Sequence, residues 1–223
     1  MISHQYKCVF IHIPKTAGTS IEKKFNFFQE LKRGVQDHRS IRRIEKEFDK
    51  RYILWSIKKD IKRIRISDAS QKFQKFFLPE ITEKQYNEYF KFSFVRNSWS
   101  RVYSWYYNVM RDDTHKKEFD ISNNISLKEF LKKQSFDWGL QSQLSWIKNK
   151  KGEIPLDFIG RFEKLEEDFS FVCQNVGISD TSLPRLYNSN NNRYTDFYDK
   201  ETIDLVYSLY KEEIDFFKFE YGE

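Results

Sequence analysis

The sequence predicts an α/β protein, a central parallel sheet flanked by helices. Three observations carry this. Two short and almost wholly apolar runs, Cys8 to Ile13 (CVFIHI) and Phe90 to Val95 (FKFSFV), have strand length. The first lacks the in–out alternation of a half-exposed sheet and reads as a strand covered on both faces, and the second, with Phe at every other position, reads as a second strand. A third run, Asp157 to Phe162 (DFIGRF), has the same length, and segments with helical period separate the three. Strands alternating with helices make a parallel sheet the economical arrangement.

Each element follows in order. Pro14 to Ser20 form the loop after the first strand, and Ile21 to about Leu31 a helix. Ile41, Ile44 and Phe48 recur on one side of an amphipathic helix at 40–48. Residues 51–88 read as mostly helical, interrupted at Pro79. After the second strand, Ser98 is a good N-cap for a helix running to about Met110. The polar stretch 122–126 is a loop, and short helices follow at about 127–134 and 140–148. A helix at 163–176 stops at Gly177. The Asn-rich stretch 187–196 is a loop, and the last helix spans about 200–217.

Composition narrows the function. The 223 residues suit one domain, and 39% hydrophobic content is low, with 18% of all residues aromatic. Phe, Tyr and Trp therefore build much of the core. No apolar run is long enough for a membrane helix and no secretory leader is visible, so a cytoplasmic protein is expected, with peripheral membrane contact left open. Cys8 and Cys173 lack CxxC spacing, and the histidines at 4, 12, 38 and 115 lack HxxxH or HExxH spacing. Neither a disulfide framework nor a metal centre is expected. The net charge is +6, and 13 of the 39 Lys and Arg fall within residues 32–65 against 5 Asp and Glu. That segment is either a solvated helical face or a surface for a polyanion.

The loop FIHIPKTAGTSIE carries the chemistry. Strand, turn and helix stand in the order that builds an anion site, where helix N–H groups and the helix dipole favour negative charge. Ala17 and Gly18 let the backbone approach an anion closely. Lys15 reaches in as a point charge, and Thr16, Thr19 and Ser20 offer hydroxyls. In a GxxxxGK[ST] loop the Lys follows the Gly and the next hydroxyl binds Mg²⁺; here Lys15 precedes Gly18. Pro14 to Thr19 (PKTAGT) resembles the sulfotransferases that use 3′-phosphoadenosine 5′-phosphosulfate, closest to the heparan sulfate 2-O- and chondroitin carbohydrate sulfotransferases and their bacterial relatives. The resemblance implies a P-loop-like sulfotransferase fold in a single domain at 1–223. It implies that Pro14, Lys15, Thr16, Ala17, Gly18, Thr19 and Ser20 hold the 5′-phosphosulfate without a metal.

A second motif stands at the end of the second strand. In FVRNSWSRVYSWYY, Arg96 ends the strand and Ser104 lies about two turns into the helix, so the two can flank one phosphate. This resembles the family's 3′-phosphate grip, with Ser98 where relatives usually carry Pro. DFIGRFEKLEEDF (157–169) and the stretch 194–221 also resemble family segments. Residues 49–88 match none and read as a helical insertion. A loop before the last helix closes over the nucleotide in the family, which makes Ser189 and Arg193 candidates for that contact.

Sulfuryl transfer needs a base for the acceptor hydroxyl, and histidine suits it. His38, in DHRSIRRIE, resembles the family's base, and its titration is expected near 6–7. His12 reads as a satisfied core residue. Trp138, Gln141 and Gln143 resemble a segment near the acceptor. The expected activity is transfer from 3′-phosphoadenosine 5′-phosphosulfate to a hydroxyl of a saccharide or glycan, anionic if the basic segment faces it, releasing adenosine 3′,5′-bisphosphate. The alternatives are an ATP-using P-loop-type kinase, disfavoured by the position of Lys15, and a basic nucleic-acid-binding module, disfavoured because its aromatics fall at core spacing.

Overall fold

The computed structural model describes residues 1–25, 36–62, 80–184 and 193–223. A four-stranded sheet runs in the order β1 (Ile2–Ser3), β2 (Cys8–Ile11), β3 (Phe90–Val95), β4 (Phe158–Arg161). The expected parallel core is present: β2 pairs β3 with Cys8 opposite Phe90, and β3 pairs β4 with Phe92 opposite Phe158. The sheet as a whole is mixed, because β1 adds an antiparallel edge, Ile2 opposite Val9. Two residues are too few to show a period, so this strand left no signal in the sequence.

Successive residues of a strand point to opposite faces, and the core divides accordingly. Cys8 and Phe10 of β2 join Phe92 and Phe94 of β3 on one face. There they meet Ile21 and Phe25 of α1 (Gly18–Phe25) and Phe169, Val172 and Cys173 of α9 (Leu165–Val176). Val9 and Ile11 face the other way. They pack with α2 (Ile41–Phe48), α5 (Ser98–Arg111), α7 (Leu127–Gln134), α8 (Gln143–Ile147) and α10 (Lys200–Phe217). The remaining helices among the described residues are α3 (Lys50–Lys62), α4 (Glu83–Glu88) and α6 (Asp113–Glu118), with single 3₁₀ turns at 138–140, 162–164 and 194–197. Between 49 and 88 the described portions, α3 and α4, are helical.

Local chemistry sets the boundaries. Asn97, not Ser98, is the N-cap of α5: its side chain accepts from the N–H groups of Trp99 and Ser100. A carboxamide oxygen caps as well as a hydroxyl, and the shift leaves the Ser98 hydroxyl free to point into the core. Thr82 and Ser126 close capping boxes at α4 and α7. Gly177 ends α9 in the left-handed conformation at φ 77°. Among the described residues, no helix is long and apolar enough to cross a membrane.

Candidate active site

The loop from β2 into α1 is held in an unusual backbone. Lys15 and Ala17 both have positive φ, 69° and 68°. For residues with a side chain this costs roughly 1–2 kcal/mol each. Left-handed residues interspersed in a turn gather successive N–H groups into an anion-binding hollow. The Ala17 carbonyl accepts from Ser20 and Ile21, which starts α1. The N–H groups of Gly18 and Thr19 then have no intrahelical acceptor. Gly18 has a reason that the sequence did not reveal: a Cβ there would lie 1.8 Å from Nε2 of His12, so the imidazole occupies the missing side chain's space. Thr16 corrects an expectation. Its hydroxyl is fully buried and donates to the Ile13 carbonyl at 2.9 Å, so it braces the loop and is not offered to an anion.

The two sequence motifs converge. Arg96, just past the end of β3, donates from Nη1 to the Lys15 carbonyl at 3.2 Å and from Nε to Ser100 Oγ at 2.9 Å. Its guanidinium lies over the Phe162 ring at 4.0 Å. Lys15 Nζ donates to Asn108 Oδ1 at 3.2 Å. Residues four apart share a helix face, so Ser100, Ser104 and Asn108 form one stripe on α5. Ser104 sits on it between the partners of Arg96 and Lys15. The hydroxyl actually bonded to Arg96 is that of Ser100, one turn earlier than the expected Ser104. Burial, then the nearby charges of Arg96 and Arg111, pushes the Lys15 ammonium down to about 8. Burial lowers Arg96 to about 10. Like charges held this close favour an anion between them.

Arg96 is anchored from behind. Its backbone N–H donates to Gln143 Oε1 and its carbonyl accepts from Gln143 Nε2, both at 2.8 Å. Gln143 is itself held by the fully buried Glu213 of α10, which also accepts from Ser98 at 2.7 Å and Ser142 at 2.8 Å. The buried Arg101 guanidinium lies 3.9 Å from Glu213 and donates to the carbonyls of Gly139 and Gln141. Gln143 therefore positions Arg96, and Gln141 contributes a backbone acceptor to Arg101.

His38 lies on the other side of the loop. Its Nδ1–H donates to the His12 carbonyl at 3.1 Å. A carbonyl only accepts, so the neutral ring carries its lone pair on Nε2, the tautomer a base requires. Burial first, then the neighbouring His12, pushes His38 down to about 4, below the range expected from sequence. Trp138 packs 5.1 Å from the His38 ring and is 44% exposed; Trp105 and Trp146 hold it edge-on. His12 is buried, as expected of a core residue, and pairs through Nδ1 with Glu22 Oε1 at 2.7 Å. Gln36 Nε2 donates to Thr19 Oγ1 at 2.7 Å and to Glu22 Oε2 at 3.2 Å. The sequence reading missed Glu22, Gln36, Ser100, Asn108 and Glu213. Only Glu22 carried a signal, as an acidic residue one turn into an otherwise basic α1.

The other candidates fall as follows. Pro14 is buried in the loop, and Ser20 is half-buried in the first turn of α1. Arg193 is exposed, just before the 3₁₀ turn at 194–197, and Ser189 lies outside the described residues. Part of the basic segment is neutralised internally: Arg39 pairs with Asp37, Glu47 and Glu80, and Arg42 holds the carbonyls of Lys148 and Asn149. Among the described residues, no three His, Cys, Asp or Glu are grouped to hold a metal ion.

Fold and site together define a mixed α/β protein in which Lys15 and Arg96 converge on a strand-to-helix loop. Comparison with known proteins gives the family: residues 1–220 match the sulfotransferase family, and the chain belongs to it. The chain is also 28% identical over 114 residues to an uncharacterized protein of Archaeoglobus fulgidus, an alignment covering 51% of this chain and 89% of that relative. No solved structure matches.

Proposed function

We propose that the protein transfers a sulfuryl group from 3′-phosphoadenosine 5′-phosphosulfate to a hydroxyl of a saccharide or glycan, on a P-loop-like sulfotransferase fold. The observation that carries the reading is the bond from Arg96 to the Lys15 carbonyl, which joins two motifs 81 residues apart into one basin. The donor set fits the nucleotide: a helix N-terminus and Lys15 on one side, Arg96 with Ser100 and Ser104 on the other, with Arg111 adding charge. When bound, the nucleotide supplies an activated sulfuryl group with a phosphate leaving group.

The chain's residues do the rest. The N–H groups of Gly18 and Thr19, with Thr19 and Ser20 hydroxyls, hold the 5′ end. Lys15 neutralises charge that grows on the transferred group and leaving oxygen. Arg96, Ser100 and Ser104 hold the 3′-phosphate, and Arg193 approaches from the neighbouring loop. His38 Nε2 takes the acceptor proton. The exposed Trp138 indole beside His38 offers a flat apolar face to a sugar ring. An anionic acceptor suits the exposed Arg43, Arg51, Lys58 and Lys59.

Calorimetric titration tests the reading. Adenosine 3′,5′-bisphosphate should bind at least ~10-fold more tightly than AMP, since charge-assisted hydrogen bonds contribute roughly 1.5–3 kcal/mol each. Arg96→Ala should erase the difference. Equal affinities in the wild type, or tighter binding of ATP or an oligonucleotide, would overturn it in favour of a kinase or a nucleic-acid module.

A further inference from the structure

Thr19 is the one cradle hydroxyl whose hydrogen-bond polarity is set by a buried titratable group. Its oxygen accepts from Gln36 Nε2, so its own proton is left to donate, and among the described residues it has no acceptor. The Gln36 amide faces this way because its second N–H is taken by Glu22 Oε2. Glu22 is fully buried, with its other oxygen on His12. A carboxylate there accepts from both partners. A carboxylic acid must donate: to His12 Nδ1 if that ring is the Nε2–H tautomer, which leaves Gln36 unmoved, or, with the ring kept as Nδ1–H, to the Gln36 carbonyl oxygen once the amide turns over. That oxygen would then also accept from Thr19, and the Thr19 proton would be consumed inside the protein.

We propose that Glu22 is a positioning residue: through Gln36 it holds Thr19 as a hydrogen-bond donor toward the anionic group in the cradle. The inference rests on the nucleotide reading above. The titratable and charged groups facing Glu22 are His12, His38, Asp37 and the N-terminal ammonium, and Lys15 faces His12. Burial pushes His12 down to about 3, so it is neutral, and pushes Glu22 up to about 7. Both forms of Glu22 are therefore populated near neutral pH, the donor arrangement above about 7 and the consumed one below. A negative charge near an anion site has the opposite effect, since it repels the ligand most when ionised. The two effects differ in sign, which makes them separable.

The test measures dissociation constants of adenosine 3′,5′-bisphosphate at pH 6 and pH 8 for wild type and Glu22→Gln. Their ratio cancels the titration of the phosphates and of Lys15. Positioning predicts that wild type weakens relative to Glu22→Gln by about tenfold from pH 8 to pH 6, the scale of one hydrogen bond to an anion. Repulsion alone predicts that wild type strengthens relative to the variant. Gln36→Met, at a half-buried site, gives a second comparison if the first variant does not fold. Positioning predicts the same relative weakening of wild type, and a pure charge effect predicts a flat ratio because Glu22 is retained. A flat or reversed ratio overturns the inference and leaves the cofactor reading intact. No nucleotide binding by wild type at either pH overturns both.

Discussion

The two halves of the basin proposed for the nucleotide are built by opposite means. The Lys15–Gly18 side is backbone: two left-handed non-glycine residues, a helix N-terminus and short side chains within one stretch of chain. The Arg96 side is side chain: a guanidinium laid on Phe162, bonded to Ser100 and steadied through Gln143 by Glu213, groups scattered from 96 to 213. The first stores conformational strain in a short loop. The second stores charge in a buried network. They should therefore fail differently when altered, the loop mainly in chemistry and the network mainly in stability.

The largest effect is expected at Glu213. Glu213→Ala removes the acceptor for Ser98, Ser142 and Gln143 and leaves Arg101 without its carboxylate. Breaking one member of a buried charge pair typically costs about 3–5 kcal/mol. Chemical denaturation should show a loss of that size, and any folded fraction should have weakened preference for the 3′-phosphate. A loss under ~1 kcal/mol would mean that the network does not support Arg96, and the contrast between the two halves would collapse.

Lys15→Ala should do the reverse. In the proposed reaction its charge acts where the transition state gains charge, so kcat should fall ~10²–10³-fold with a much smaller change in nucleotide affinity and little change in stability. A variant with normal kcat and weakened binding would make Lys15 a tether, equivalent in kind to Arg96.

This contrast also explains what the sequence showed. The loop was legible because its parts are consecutive: PKTAGT between an apolar strand and a helix is a local pattern. So were β3, α7, α10 and the Gly177 stop, where period or cap chemistry is local. Ser100 was missed because choosing between it and Ser104 depends on where Arg96 bends, and that is fixed by Phe162. Glu213 was invisible because a buried Glu reads as a surface residue of an amphipathic helix until the packing is known, and Gln143 was named by resemblance without its hold on the Arg96 backbone, which is a tertiary contact. Thr16 was assigned outward because sequence cannot show which way a hydroxyl turns. His38 was named by its place after the loop and by resemblance, but its titration range could not be read, since burial against His12 is a tertiary fact.

That burial sets the next expectation. A histidine lowered to about 4 is neutral and able to accept a proton throughout pH 5–8. The basic form is lost as pH falls through the folded-state value, so kcat/KM should drop steeply only below about 5. A shallower step near 7 belongs to Glu22. His38→Ala should remove the lower limb and leave the upper one, with nucleotide binding retained because Ile41 and Ile44 anchor α2. A profile unchanged by the substitution would take the base role away from His38.

The smallest effect comes from the same kind of substitution made in both halves. Ala17 sits at φ 68°, where an L-residue is strained by roughly 1–2 kcal/mol. Glycine relieves that strain but adds about 0.4–1 kcal/mol of unfolded-state entropy. Ala17→Gly should therefore raise stability by up to about 1.5 kcal/mol. It should also loosen the loop, so nucleotide affinity should fall slightly even as the protein becomes more stable. Ser100 lies within regular α5, where glycine costs about 0.5–1 kcal/mol relative to alanine, and Ser100→Gly also removes the bond to Arg96. Its stability should fall by about 1 kcal/mol or more. Thermal denaturation of the two variants side by side should thus give shifts of opposite sign. Equal losses at both positions would show that the loop carries no strain, and that its left-handed residues are held there by nothing that glycine can relieve.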